Sequence, residues 1–122
     1  MKQYALSPAQ RIKTSRDFAK VFKKRLRASD ACLLVYAAEN SLGRTRFGLS
    51  VSRKVGKAVA RTAVKRLLRE AFRLSQHDLP NGLDLVLIPQ REAAGGAGLA
   101  DYRKSLVELT RRLSRRIGPR EA

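Results

Sequence analysis

The sequence predicts a single α+β domain, a sandwich in which helices pack on one small sheet. The chain has 122 residues, which is the usual length of one domain. Apolar residues make up 43% of it, with only eight glycines and four prolines, so the chain can bury a core. Segments with helical periodicity and segments with strand periodicity follow one another along the chain. We therefore expect residues 1–122 to fold as one domain.

The chain begins with a polar, basic segment that precedes the first predicted helix. We expect residues 1–13 to be extended. Thr14 and Ser15 are candidate N-caps, because their hydroxyl oxygens can accept a hydrogen bond from the first helical turn. The helix is predicted over about 16–24, and its apolar side chains share one face: Phe18, Val21 and Phe22.

Three later segments are predicted strands. Segments 31–38 and 46–52 are the first two, and the second alternates apolar residues with small or polar ones. A short basic turn joins them, so we expect the two strands to pair as an antiparallel, hairpin-like unit. Segment 83–88 is apolar throughout, which is typical of a strand buried on both faces.

The most strongly amphipathic segment is a helix predicted over about 56–75. One half of its helical wheel is apolar, and only Phe72 lies outside this pattern. The apolar half contains Val59, Ala60, Ala63, Val64, Leu67, Leu68, Ala71 and Leu74. The other half is almost entirely cationic and contains Lys57, Arg61, Thr62, Lys65, Arg66, Arg69 and Arg73.

The C-terminal part of the chain is predicted to be a loop followed by a helix. Alanine and glycine are frequent over 89–100, which predicts a flexible loop. Asp101 is the expected cap of the last helix, and Gly118 with Pro119 is its expected end. The predicted buried stripe of this helix consists of Tyr102, Leu106, Leu109, Leu113 and Ile117.

The net charge of +17 and the pI of about 11.4 indicate a polyanionic partner, nucleic acid in preference to an anionic membrane. No apolar run approaches the ~20 residues of a membrane span, and the first residues lack the apolar stretch of a signal peptide. The lone cysteine, Cys32, fits a reducing compartment and is most simply a small buried residue. We therefore expect a cytoplasmic protein.

Basic residues are concentrated between Arg46 and Arg73, where Glu70 is the only acid. Five of them recur every four residues and would form a ridge along the helix: Lys57, Arg61, Lys65, Arg69 and Arg73. Like charges at this spacing destabilise an isolated helix by about 0.2–0.5 kcal/mol per pair. A bound polyanion offsets this cost, since it releases its counterions. The alternative, a solvated helix face, is disfavoured because acids that would balance the charge are nearly absent.

The sequence shows no recognisable catalytic or metal-binding set. One histidine, His77, and one cysteine leave no zinc site, and the ten acids are scattered, which disfavours a two-metal nuclease site. Three classes of function are open to a basic protein without such a set. They are a ribosomal protein or RNA chaperone of similar basic fold, a stand-alone nuclease, and a DNA-binding regulator, for which no helix-turn-helix is recognisable.

The segment from Gly48 to Glu70 resembles the signature of the bacterial ribonuclease P protein family. Its matching residues are Gly48-Leu49-Ser50-Val51-Ser52, Arg53-Lys54, Val55-Gly56, Ala58-Val59, Arg61-Thr62-Ala63-Val64-Lys65-Arg66 and Leu67-Leu68-Arg69-Glu70. The resemblance extends to the first helix through Arg11-Ile12-Lys13, Asp17-Phe18 and Val21-Phe22, and to Tyr36 on the first strand. The chain departs from the family at Thr62 and Ala63, where the family has Asn and Arg.

This resemblance implies an αβββαβα fold with an unusual left-handed βαβ crossover. It also implies that the protein is a subunit of an endoribonuclease, whose large catalytic RNA and bound Mg²⁺ remove the 5′ leader of precursor tRNA by hydrolysis. The protein would assist substrate binding and metal affinity and would hold no catalytic residue and no metal of its own. The expected partners are therefore the RNA subunit and precursor tRNA.

The same resemblance assigns two groups of site residues. Contacts with RNA phosphates are expected at Arg53, Lys54, Lys57, Arg61, Lys65, Arg66 and Arg69. Thr62 departs from the family but could still donate a hydroxyl hydrogen bond to a phosphate, so it is included in this group. A cleft that binds unpaired leader nucleotides is expected at Phe18, Phe22 and Tyr36, because unpaired bases stack on aromatic rings. Ordinary core packing is the alternative for these three residues, above all for Phe22.

Overall fold

The computed structural model describes residues 5–92, 94 and 96–118. Its helices and strands follow the order αβββαβα, which confirms the fold class. The strands are β1 (Arg27–Ser29), β2 (Leu33–Glu39), β3 (Arg46–Leu49) and β4 (Leu83–Pro89). The helices are α1 (Ser15–Lys23), α2 (Ala58–Ser75) and α3 (Leu99–Ile117), with short 3-10 helices at Pro8–Gln10, Arg53–Val55 and Gln76–Asp78.

The four strands form one mixed sheet in the order β1-β2-β4-β3. The prediction that the strands now called β2 and β3 pair as an antiparallel hairpin is wrong, because β4 lies between them, antiparallel to β2 and parallel to β3. The apolar composition of β4 explains its central place, since Leu83 to Leu87 are all buried. Helix α2 connects the parallel pair β3 and β4. The left-handed course of this crossover stays a prediction.

The two faces of the sheet are covered unequally. Helices α2 and α3 pack on one face, where the main core forms and the ring of Phe47 stacks on that of Phe72 with centroids 4.3 Å apart. Helix α1 packs on the opposite face over a smaller cluster formed by Ile12, Val21, Ala38 and Val86. Because side chains alternate along a strand, β2 contributes Val35 to the first face and Tyr36 to the second.

The prediction for the buried face of α2 is wrong in its first turns and at Phe72. The buried residues are Val64, Leu68, Ala71, Phe72 and Ser75, whereas Val59 is 84% exposed and Ala60 and Ala63 are also exposed. This 18-residue helix packs mainly against α3 and, through Phe72, on Phe47 of β3, and its buried residues begin only at Val64. The first turns of α2 therefore extend beyond the core, and the stack on Phe47 turns the helix toward Phe72.

The helix ends largely follow the sequence predictions. Thr14 caps α1, and its hydroxyl accepts a hydrogen bond from the backbone N–H of Asp17 at 3.1 Å. The assignment of Asp101 as the cap of α3 is wrong by three positions, because Gly98 is the N-cap and donates its N–H to the Asp101 carboxylate at 2.8 Å. The predicted stripe of α3 is buried at Tyr102, Leu106, Leu109 and Leu113, and Ile117 is half-buried. Gly118 ends the helix with a φ of 86°, while Pro119 lies outside the described residues.

Two predicted irregular segments can be described in part. In the N-terminal segment, residues 1–4 lie outside the described residues, Pro8–Gln10 is a 3-10 helix, and Arg11 forms a parallel bridge with Phe47. In the loop between β4 and α3, residues 93 and 95 are outside the description, and the flexibility of this loop stays a prediction. No helix of the described chain is long and apolar enough to cross a membrane.

Candidate nucleic-acid interface

The predicted RNA-binding residues lie together on the 3-10 helix Arg53–Val55 and on the following first turns of α2. We call this set the α2 cationic surface: Arg53, Lys54, Lys57, Arg61, Thr62, Lys65, Arg66 and Arg69. Gly56 joins the two helices at a φ of 150°, and a Cβ there would lie 2.9 Å from the Cβ of Ala60. Only glycine therefore allows the chain to bring Arg53 and Lys54 beside α2.

Exposure on the α2 cationic surface varies along the predicted ridge. Lys57 and Arg66 are exposed, whereas Arg61, Lys65 and Arg69 are half-buried. Residues four apart on a helix are offset by about 40°, so the ridge winds around α2 and does not run straight. The side-chain Nε of Arg61 is buried and has no hydrogen-bond partner among the described residues.

The charge of the α2 cationic surface is not balanced by carboxylates. In the described part of the chain, none of its lysines and arginines forms a salt bridge. Glu70 instead pairs with Arg73, whose guanidinium donates two hydrogen bonds at 2.6 and 2.7 Å and holds the pKa of Glu70 below its usual value. Arg73, which the ridge prediction included, is therefore paired within the protein, and the cations before it keep their charge for a ligand.

The three predicted cleft residues also lie together, on the sheet face that carries α1. The rings of Phe22 and Tyr36 meet edge to face with centroids 4.9 Å apart. Phe22 is 36% exposed, so part of its ring is accessible, and the alternative that it serves only packing stays to be tested. Phe18 and Tyr36 are half-buried and pack on the small cluster below α1, so each is both a packing residue and an accessible one. We call the surface formed by Phe18, Phe22 and Tyr36 the aromatic cleft.

The floor of the aromatic cleft depends on a glycine in β3. A Cβ at Gly48 would lie 2.5 Å from the Cζ atom of Phe18, which is too close for any side chain to be added without movement. Gly48 therefore lets the Phe18 ring lie directly on the sheet. Beyond α1, the same sheet face continues with Leu34, paired with Ile88 of β4, and both are half-buried. The open part of the face is consequently apolar as well as accessible.

Helix α1 is held in place by a pair of charges that sequence reasoning did not single out. Arg46 of β3 donates two hydrogen bonds to the Asp84 carboxylate, at 2.8 and 2.6 Å, and lies 3.7 Å from Asp17 of α1. The hydrogen bond to Asp84 is the main cause that raises the pKa of Arg46. Asp17 precedes Phe18 on α1, and Arg46 lies on β3 with Gly48. The contact between Arg46 and Asp17 therefore helps to position the Phe18 side of the aromatic cleft over Gly48.

Arg27 of β1 is a second residue that the sequence did not indicate. Its Nη1 donates to the Tyr36 hydroxyl at 3.2 Å, and its guanidinium carbon lies 5.9 Å from the centroid of the Tyr36 ring. The contact follows from the register of the sheet, in which Arg27 is directly opposite Tyr36. A short exposed strand such as β1 gives no periodic signal, so this pairing was not accessible to sequence analysis.

The remaining polar candidates, Cys32 and His77, belong to neither of the two surfaces. No group of three His, Cys, Asp or Glu residues within the described ranges could hold a metal ion. Cys32 is half-buried, and burial raises the pKa of its thiol, while His77 is exposed beyond the end of α2. The two surfaces are therefore suited to binding phosphates and bases, and the acids beside them serve packing and helix placement.

The model of the Ribonuclease P family matches residues 6–114. The ribonuclease P protein components of Alkaliphilus oremlandii and Desulfovibrio desulfuricans are 34% and 36% identical to this chain, over 85% and 96% of its length and 90% and 92% of theirs. The RNase P protein from Thermotoga maritima has a similar structure, with a TM-score of 0.78 and 31% identity over 85% of this chain and 97% of that one. A Staphylococcus aureus RNase P protein mutant has a TM-score of 0.74 and 30% identity, over 84% and 86% of the two chains. The matched residues include both surfaces described above, and the chain belongs to the ribonuclease P protein family, the protein component of that endoribonuclease.

Proposed function

We propose that this chain binds the catalytic RNA of ribonuclease P through the α2 cationic surface and the 5′ leader of precursor tRNA through the aromatic cleft. In this way it assists the magnesium-dependent endonucleolytic removal of the leader, which produces the mature 5′ end of tRNA. Membership in the family supports an RNA subunit as partner. The division of RNA contacts between the two surfaces is our proposal, as is a cytoplasmic location.

The observation that carries this proposal is the different chemistry of the two surfaces. The α2 cationic surface carries unpaired positive charges on a rigid helix, which suits the phosphates of a folded RNA. The aromatic cleft offers ring faces on an otherwise apolar floor, which suits unpaired bases. Because helices α1 and α2 pack on opposite faces of the sheet, one domain can contact the two RNAs simultaneously.

The described residues fit a role in binding and orientation. Arg61 and Arg66 can donate parallel hydrogen bonds to phosphate oxygens, and the Thr62 hydroxyl, which is exposed, can donate one more. Phe18, Phe22 and Tyr36 would hold the leader away from the mature domain of the tRNA. We assign the Mg²⁺ ions mainly to the RNA subunit, where they would activate water and stabilise the leaving oxygen.

Reconstitution tests the proposal. Precursor tRNA would be incubated with a bacterial ribonuclease P RNA at low Mg²⁺ concentration, with and without this protein. We expect cleavage at the mature 5′ end that depends on the protein, and a tighter complex with precursor than with mature tRNA. Tight RNA binding without any stimulation would contradict the proposal and would favour a ribosomal protein or RNA chaperone. Cleavage by the protein without the RNA subunit would contradict it in favour of a stand-alone nuclease.

A further inference from the structure

A second group of cations lies at the opposite edge of the sheet from the α2 cationic surface. The strand order β1-β2-β4-β3 places β3 and β1 at the two edges. At the β1 edge, exposed arginines come from β1, from the turn before it and from the last turns of α3. We call this group the edge arginine patch: Arg25, Arg27, Arg112, Arg115 and Arg116. None of its residues belongs to the matching signature or to the two surfaces assigned above.

Hydrogen bonds connect the patch to the aromatic cleft. The Nη1 of Arg116 donates to the backbone carbonyl of Arg27 at 2.9 Å, so α3 reaches the outer side of β1. The side chain of Arg27 in turn donates to the Tyr36 hydroxyl at 3.2 Å. Tyr36, Arg27 and Arg116 therefore form one continuous path from the cleft, across the edge strand, to α3.

Helix stability alone does not account for the patch. Cations at a helix C-terminus interact favourably with the helix dipole, which explains Arg115 and Arg116 in part. Arg112 and Arg116 are four residues apart on the same helix face and repel each other, whereas Asp30 and Glu108, four residues before Arg112, offset part of the charge of Arg112 only. Arg25 lies outside any helix and has a φ of 55°, a left-handed conformation that costs free energy in any residue but glycine. Arg25 follows the C-cap Lys24 at the end of α1, and it is exposed, so its charge adds to that of the patch.

We propose that the edge arginine patch binds phosphates of the single-stranded leader beyond the nucleotides held in the aromatic cleft. Three strand spacings of about 4.8 Å separate β3 from β1, so a strand of RNA that enters near β3 crosses about 14 Å of sheet before it reaches Arg27. Arg27 then contacts the strand as it leaves the cleft, and Arg112, Arg115 and Arg116 neutralise the phosphates that follow. This inference rests on the proposed function, because it assumes that the cleft holds the leader.

The test compares two double variants on the same helix. Arg112→Gln with Arg116→Gln removes two charges from the patch, and Lys104→Gln with Arg111→Gln removes two exposed charges elsewhere on α3. Holoenzyme made with each variant is titrated with two precursors, one whose leader is long enough to cross the whole sheet and one whose leader ends in the cleft. For the long leader, the patch variant should bind roughly fivefold more weakly, as expected for two exposed charge contacts. The slope of the logarithm of its binding constant against the logarithm of the salt concentration should be flatter by about 1.4, because each lost contact with a single strand contributes about 0.7.

The control variant should bind both precursors with the affinity of the wild type. The patch variant should bind the precursor with the short leader with the affinity of the wild type. Equal loss on both leaders, or the same loss in the control variant, would overturn the proposal, because net charge or the RNA subunit would then explain the effect. No loss on either leader would overturn it as well. If the patch variant instead loses binding to anionic vesicles and keeps its affinity for the long leader, the patch is a membrane contact. Wild-type holoenzyme is measured first: without tighter binding of precursor than of mature tRNA, the proposed function itself fails.

Discussion

The α2 cationic surface and the aromatic cleft differ in how the fold positions their side chains. The cations lie on the outer side of α2 and on the segment before it, and beside the first of them Val59 and Ala63 are exposed. The cleft residues lie on the core itself, since Phe18 and Tyr36 also pack on the small cluster under α1. Charge can therefore change on α2 with little effect on folding, whereas a change in the cleft alters packing and binding together. Variants that change RNA binding without changing stability, and variants that change both, therefore test whether the two surfaces bind different RNAs.

The largest expected effect contrasts two phenylalanines that are both in helices. Phe72→Ala removes a fully buried ring that stacks on Phe47 and should lower the free energy of unfolding by about 3–5 kcal/mol. Phe22→Ala removes a ring that is already 36% exposed and should cost less than about 1.5 kcal/mol. Denaturant unfolding measures both values. Phe22→Ala should still reduce the preference for precursor over mature tRNA; a cost similar to that of Phe72→Ala would make Phe22 a core residue.

Gly48→Val tests the aromatic cleft from its floor. The new side chain would push the Phe18 ring away from the sheet, because even a Cβ lies 2.5 Å from Phe18 Cζ. Overpacking of this kind should cost about 1–3 kcal/mol of stability and weaken the preference for precursor tRNA. Binding of the RNA subunit should stay unchanged. Gly96→Ala is the control, since a Cβ at Gly96 meets nothing within 4 Å, and an equal effect of the two variants would contradict the role of Gly48.

Removing charge from the α2 cationic surface should weaken binding of the RNA subunit and leave the preference for precursor tRNA unchanged, the reverse of the effects of Gly48→Val. Arg61→Ala or Arg66→Ala should weaken binding of the RNA subunit and flatten the salt dependence of that binding by about 0.9 per lost phosphate contact. The preference for precursor over mature tRNA, measured in saturated holoenzyme, should not change. Lys104→Ala on α3 is a control with the same loss of charge. A salt slope unchanged by Arg61→Ala and by Arg66→Ala would contradict the assignment of this surface.

The smallest expected effect concerns the one acid on α2. The pKa of Glu70 is lowered by its hydrogen bonds to Arg73, so its stabilising contribution is present above the unfolded-state pKa and is lost as the pH falls through the lowered folded-state pKa. Both side chains are at the surface, so the loss of stability should be small. Glu70→Gln removes the negative charge beside Arg73 and should steepen the salt slope of RNA-subunit binding by up to about 0.9. A shallower slope in this variant would show that Glu70 organises the cations around it.

Residue patterns predicted every helix and strand except β1 and the 3-10 helices, and they also predicted the cap at Thr14 and the buried stripe of α3, because these depend on residues close together in the chain. The strand β1 was expected only from the family resemblance. Sequence analysis failed where distant segments meet. The hydrophobic pattern of 31–38 and 46–52 fits a hairpin, and only the packing of the sheet shows that β4 lies between them. Phe72 does not fit the helical wheel because its partner, Phe47, is on another element. Arg27 acquires its place beside Tyr36 from strand register alone, which no local pattern encodes.

The most direct test of separate surfaces is a two-by-two comparison of Arg66→Ala and Tyr36→Ala. Each variant would be measured for affinity to the RNA subunit and for the ratio of precursor to mature tRNA affinity in saturated holoenzyme. We predict that Arg66→Ala lowers only the first quantity and that Tyr36→Ala lowers only the second. If both variants lower both quantities in proportion, one continuous surface binds both RNAs, and the division of RNA contacts between the α2 cationic surface and the aromatic cleft is contradicted.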